Sequence, residues 1–205
     1  MKTELEEFKY SAAESEIIAT AMTLLRPWDC ATIEKIKQRI KAFHLQLGEN
    51  LCCYCYRDVQ GEFSMVLDIE HILPKRHYKP LTFDIRNLSV ACKWCNMKIK
   101  RDDLDFLRLP VNVEDIEDGD KYKIIHPNID ERDAHLVRIV LQRNAKKIVK
   151  YTVVGNSAKG KFSYKYFQLQ DFEVDSFDSA QGANQASATE LDAIASIRAL
   201  VKEIE

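Results

Sequence analysis

No apolar run in this chain approaches the ~20 residues that a membrane-spanning helix needs, so no membrane association is expected. The first residues, Met1 to Phe8, are acidic and polar rather than basic and then apolar. That start predicts no signal peptide and a cytoplasmic location. No GxxxxGK[ST] loop is present, so any use of ATP has to come from a partner. No internal repeat is visible. The net charge is only -2 over 205 residues, which does not advertise a polyanion as partner. With 46% hydrophobic and 30% charged residues, the composition is that of an ordinary soluble globular protein. The length suits one large domain or two small ones.

What is present is concentrated in one stretch. Cys52-Cys53-Tyr54-Cys55 and Cys92-Lys93-Trp94-Cys95 are two CxxC pairs, and Asp68-Ile69-Glu70-His71-Ile72-Leu73-Pro74-Lys75 lies between them. Six cysteines in a chain read as cytoplasmic favour metal ligands over disulfides. Cys52, Cys55, Cys92 and Cys95 suit tetrahedral Zn²⁺, and a closed site with four thiolates is structural. The alternatives are two disulfides or free core cysteines. Cys53 is left over. The gap of 36 residues between Cys55 and Cys92 means that an insertion sits inside the clamp.

That insertion carries the chemistry. A neutral histidine can accept a proton from water near physiological pH. A hard divalent cation, typically Mg²⁺, takes carboxylate and amide oxygens. Asp68, Glu70, His71 and Asn96 supply these groups, and strand alternation puts Asp68 and Glu70 on one face with His71 on the other. From Cys52 to Arg101 there are nine Lys or Arg against five Asp or Glu, a local basic surplus fit for phosphate contact. Lys75 and Lys98 are the expected phosphate contacts among Lys75, Arg76, Lys79, Lys93, Lys98, Lys100 and Arg101. The other reading of these side chains is a solvated face. No base-reading element is visible.

The coarse organisation has three regions. Residues 1–48 read as two helices. Ser11 and Glu14 have capping-box spacing and Pro27 is the stop. A second helix from about Thr32 carries Ile33, Ile36, Ile40, Phe43 and Leu47, and Gly48 ends it. Residues 49–109 run strand, loop, helix. Residues 110–205 begin with an acidic connector. They continue with a hairpin expected around Gly155 to Gly160 and a flexible link over 176–188. An amphipathic helix over 189–205 ends the chain. Cys30 is expected as a small buried hydrophobe, and His44, His126 and His135 as structural or exposed.

In order, the set Asp68-Ile69-Glu70-His71-Ile72-Leu73-Pro74, Asn87-Leu88, and Cys92-Lys93-Trp94-Cys95-Asn96 resembles an HNH endonuclease of the ββα-metal type. The resemblance covers about fifty residues. It implies an α+β fold in which a ββα-metal core with a four-cysteine zinc site is flanked by an N-terminal helical region and a C-terminal α+β region. It implies His71 as general base, Glu70 and Asn96 as ligands of a catalytic Mg²⁺ (or Mn²⁺) with Asp68 assisting, and Asn87 as the residue that fixes the loop carrying His71. The last motif position is often His; Asn96 stands there instead, which speaks against Zn²⁺ or Ni²⁺ as the catalytic ion. Tyr54 and the segment Ile125-His126-Pro127-Asn128-Ile129-Asp130 further resemble the PtuB family of HNH proteins in bacterial Septu and retron antiphage systems. That likeness implies a defence nuclease working beside an ATPase of the PtuA type. DNA is the expected substrate. RNA such as tRNA, and a zinc-held binding module without catalysis, are the alternatives.

Overall fold

The computed structural model describes residues 2–62, 64–144 and 146–174, together with Ala195 and Ala199. The expected link over 176–188 lies outside the described residues. So does the expected helix over 189–205, apart from Ala195 and Ala199, which are helical. Among the described residues, no helix is long and apolar enough to cross a membrane. Two compact units divide the chain: Met1–Tyr122 with His126–Asp130, and Lys123–Ile125 with Glu131–Glu205.

In the first unit a short helix α1 (Lys2–Leu5) precedes α2 (Ala12–Met22). The Ser11 hydroxyl accepts from the Glu14 amide at 3.2 Å, and the Ser11 amide donates to the Glu14 carboxylate at 2.8 Å. This reciprocal pair satisfies two amides that the helix start leaves open. The helix ends at Met22, and Pro27 opens a separate 3₁₀ turn, Pro27–Asp29. Helix α3 (Glu34–Leu47) ends at Gly48. Ile33, Ile36 and Ile40 fall on one side of it and join Phe8, Ala21, Phe83 and Leu88 in a core cluster. Cys30 is only half-buried, and its thiol lies 3.0 Å from the Thr32 hydroxyl, so it is not the buried hydrophobe expected.

Strands β1 (Leu67–His71) and β2 (Leu88–Cys92) pair antiparallel, with Leu67 opposite Cys92 and His71 opposite Leu88. All five residues of β2 are buried. A π-helix, Trp94–Lys100, follows directly. Strand, strand and helix therefore stack as a compact ββα unit, with α3 packed on the hairpin through Leu88.

The second unit contains β3 (Leu136–Arg143), β4 (Lys146–Val153) and α4 (Ala158–Tyr166). The strands pair over their full length, from Leu136 opposite Val153 to Arg143 opposite Lys146. The hairpin therefore turns at Asn144, not between Gly155 and Gly160. The segment expected to be its second strand is the helix α4. Gly155 and Asn156 take left-handed backbone, which stops β4. Ser157 then caps α4 by accepting from the Gly160 amide at 3.0 Å. The aromatic residues read as strand-like stack at helical spacing, Phe162 on Tyr166 at 5.6 Å. A Cβ at Gly160 would collide with the His135 carbonyl, so only glycine fits there.

Candidate active site

The clamp is built by three pieces of backbone. Cys52 and Cys55 sit in a tight turn closed by the Tyr56 amide donating to the Cys52 carbonyl at 2.9 Å, with Tyr56 in left-handed backbone. Cys92 ends β2 and Cys95 lies in the first turn of the π-helix. The four sulfurs lie within 4.8 Å of one another and all four residues are buried. The separation of 3.8 Å between the Cys55 and Cys92 sulfurs is the edge that a tetrahedron with Zn–S of ~2.3 Å requires. The Cys92 amide donates to the Cys52 sulfur at 3.3 Å, which favours the thiolate. All six cysteines are free thiols, so the disulfide alternative fails. The donor set fits a structural zinc ion. Cys53 stays outside the cluster; its amide donates to the Val90 carbonyl at 3.0 Å, tying the turn to β2, and burial pushes its thiol up.

The same hairpin orients the oxygen and nitrogen groups. Asn96 donates its amide nitrogen to Asp68 at 3.2 Å, which leaves its carbonyl oxygen free as a ligand atom. Lys93 lies 3.4 Å from the other Asp68 oxygen. Glu70 turns inward. Lys100 donates to one of its oxygens at 2.7 Å and to the His71 carbonyl at 2.9 Å, and Tyr54 donates to that same Glu70 oxygen at 3.1 Å. Burial raises the Glu70 carboxyl above its ordinary value, against the pull of Lys100. One Glu70 oxygen is therefore committed and the other remains. The π-helix makes this arrangement possible. Its wider turn, marked by the Arg101 amide donating to the Asn96 carbonyl at 2.8 Å, brings Asn96 and Lys100 onto the side facing β1.

His71 points the other way, as strand alternation requires. Its Nε2 lies 3.0 Å from the Thr82 carbonyl. A carbonyl only accepts, so Nε2 carries the proton and Nδ1 keeps a lone pair. Trp28 packs edge-to-face on the imidazole at 4.5 Å. Burial, and then the Lys75 ammonium, push its pKa down to about 3, so the ring is neutral at neutral pH.

Asn87 sits behind the site, fully buried. Its carbonyl accepts from the Leu73 amide at 2.7 Å, and its nitrogen donates to the carbonyls of Leu73 at 3.0 Å and Leu81 at 3.3 Å. It thereby closes the long loop between β1 and β2. Asn128 holds Asn87 from either side by donating to the carbonyls of Arg86 and Leu88, both at 2.8 Å.

Asp68, Glu70, His71, Lys75 and Asn96 all line a cleft of about 770 Å³. Lys98 is not in it. Its ammonium lies 3.3 Å from the centre of the Trp94 ring on the outer side of the helix. Lys100 is buried and spends its ammonium on Glu70 and the His71 carbonyl. Lys93 and Arg101 line the cleft instead. Reasoning from the sequence did not assign Lys100 to Glu70, Asn128 to the loop, or Trp28 to His71. The His126-Pro127-Asn128 segment stood out only as a likeness.

The HNH endonuclease family model matches residues 52–102, the stretch that contains the hairpin, the clamp and the π-helix. This segment is similar to the HNH endonuclease family. Over 137 residues the chain is also 28% identical to the Septu protein PtuB of Bacillus thuringiensis, a match covering 67% of this chain and 43% of that protein. The chain thus spans less than half the length of this relative. No solved structure matches it significantly. In the matched segment His71 ends β1, Asn87 immediately precedes β2 and Asn96 lies in the helix, and the four cysteines tie the hairpin to that helix.

Proposed function

We propose that this protein is a metal-dependent HNH endonuclease that hydrolyses phosphodiester bonds of DNA, acting in the cytoplasm as the nuclease effector of an antiphage system beside an ATPase partner. One observation carries the catalytic reading. His71 donates a hydrogen bond from Nε2–H to the Thr82 carbonyl and keeps the Nδ1 lone pair, in a cleft it shares with the oxygen atoms of Asp68 and Asn96. A neutral imidazole with one fixed nitrogen is a general base held in a single tautomer.

Asp68, Asn96 and the uncommitted oxygen of Glu70 would hold Mg²⁺ (or Mn²⁺); oxygen donors of this kind fit a hard cation. When bound, such an ion polarises a phosphate oxygen and stabilises the leaving oxygen. The protein's own groups do the rest. Nδ1 of His71 takes a proton from water. Asn87 keeps the loop behind His71 from shifting, and Lys75 offsets phosphate charge at the mouth. The likeness to a Septu protein supports the defence role, and without a phosphate-binding loop motif in this sequence any use of ATP would come from a partner.

The test is plasmid nicking with Mg²⁺, using protein copurified from its native operon. His71→Ala is expected to reduce cutting at least ~100-fold; a mutant that cuts like the native protein sinks the role of His71. Parallel digestion of DNA and tRNA decides the substrate. A binding module without chemistry predicts that Asn96→Ala and His71→Ala change nothing.

A further inference from the structure

The segment matched by the HNH family model begins at Cys52 and supplies only part of the cleft lining. Another part is α3, which lies outside that segment. Glu34, Lys37, Gln38 and Lys41 face the cleft at i, i+3, i+4 and i+7, one face of a helix. The other face carries Ile33, Ile36 and Ile40 into the core. The helix is thus fixed from behind and polar in front.

Both parts of the lining carry cations. The 52–102 segment presents Lys75, Lys93 and Arg101 beside Asp68 and Glu70, whose carboxylates repel phosphate until a cation joins them. Helix α3 presents Lys37 and Lys41 beside Glu34. Lys41 is partly committed, since its ammonium donates to the Leu67 carbonyl at 2.7 Å and so braces α3 against β1. Lys37 is held only loosely, 3.7 Å from Glu34 and 5.4 Å from the centre of the Trp28 ring, whose edge packs on His71. Its ammonium therefore stands one aromatic ring away from the proposed base.

We propose that the polar face of α3 is the second wall of the nucleic-acid site, with Lys37 and Gln38 contacting phosphates next to the one presented to His71. This rests on the nuclease reading and adds to it a binding element from outside the family domain. One consequence is that an isolated 52–102 segment would lack half of its substrate contacts.

The experiment measures binding of a fluorescein-labelled DNA duplex, and in parallel of labelled tRNA, by anisotropy in buffer without added divalent cation. Lys37→Glu is expected to weaken binding about tenfold, and Lys37→Ala to lower the salt slope by about one. Lys35→Glu makes the same charge change on an exposed α3 position that does not line the cleft. It is expected to stay within about twofold of the parent. Melting curves of all three variants report folding. Equal losses in Lys37→Glu and Lys35→Glu, or no loss in Lys37→Glu, overturn the second wall while leaving the nuclease reading intact. A parent that binds neither probe overturns the nucleic-acid reading itself, and the wall with it.

Discussion

Strands β1 and β2 pair over five residues each and are joined by a long connection, residues 72–87, whereas β3 and β4 pair over eight residues each and turn at Asn144. The long hairpin has the regular ladder, and none of its described residues lines the candidate site. The short one carries Asp68, Glu70 and His71, with Asn87 in its connection and Asn96 in the helix that follows. A five-residue pair with a long loop is not stable by itself. Its order comes from pins that the ladder does not provide: the thiolate clamp at Cys92, the side chain of Asn87 inside the loop, Asn128 outside it, and Lys100 between Glu70 and the His71 carbonyl. Each pin is polar or metal-based and fixes one direction in space. Where chemistry needs atoms placed to a fraction of an ångström, this molecule uses pins; where it needs only a packed surface, it uses a ladder.

The sharpest way to break that contrast is to remove the metal. Structural zinc contributes ~10–16 kcal/mol to small domains that depend on it. Cys92→Ser is expected to lose bound zinc and to abolish amide-exchange protection over β1 and β2, while protection in β3 and β4 persists. Zinc content and hydrogen exchange on one sample decide the matter. If β1 and β2 stay protected without zinc, the ladder is sufficient and the contrast fails.

Next in size is Asn87→Ala. It leaves three buried backbone groups, the Leu73 amide and the Leu73 and Leu81 carbonyls, without their partner. At about 1–3 kcal/mol for each orphaned group, partly relieved by relaxation, a loss of roughly 3–5 kcal/mol is expected. The unfolding free energy obtained from urea titration should fall by that amount at unchanged zinc content. A loss below about 1 kcal/mol would mean that the loop is held elsewhere.

A smaller effect comes through pH. His44 of α3 is buried, and burial pushes its pKa down from 6.5 to about 4, against a backbone hydrogen bond with Ile85. Between those two values the unfolded chain binds more protons than the folded one, so stability rises with pH. The contribution is complete above about pH 6.5 and is lost as pH falls toward about 4, with a ceiling near 3 kcal/mol. His71 is depressed in the same direction, so the test compares slopes. His44→Gln should flatten the dependence of the urea midpoint on pH in that window. An unchanged slope assigns all of it to other groups.

How much of this could be read from the sequence follows the same division. The grouping of the four cysteines was legible from two CxxC spacings, whereas His71, Asn87 and Asn96 were singled out through a likeness to a family motif. The N-terminal helices were legible from the isoleucine stripe and from Ser11 with Glu14. Lys100 was not, because a lysine two residues after Lys98 reads as surface charge on any ordinary helix; only the wide π turn rotates it inward. Asn128 was not legible because its partners, the carbonyls of Arg86 and Leu88, are backbone atoms some forty residues away. The site of the second hairpin was misjudged for a local reason. Phe162, Tyr164, Tyr166 and Phe167 have strand-like propensity, yet Ser157 caps a helix ahead of them and Gly160 packs against the His135 carbonyl.

The smallest predicted effect lies in that second hairpin. Asn144 takes left-handed backbone at φ 55°, a conformation asparagine tolerates and alanine resists by about 1 kcal/mol. The strands on either side contribute eight paired residues each, so losing the favourable turn weakens the hairpin without dismantling it. Asn144→Ala should lower the melting temperature by a few degrees, roughly the shift that 1 kcal/mol produces in a protein of this size. Asn144→Gly should restore it, since glycine enters the left-handed region freely. Neither variant should alter zinc content or nicking. A drop as large as that of Asn87→Ala would show that the ladder, too, hangs on a single residue, and the distinction between the two hairpins would then be one of length alone.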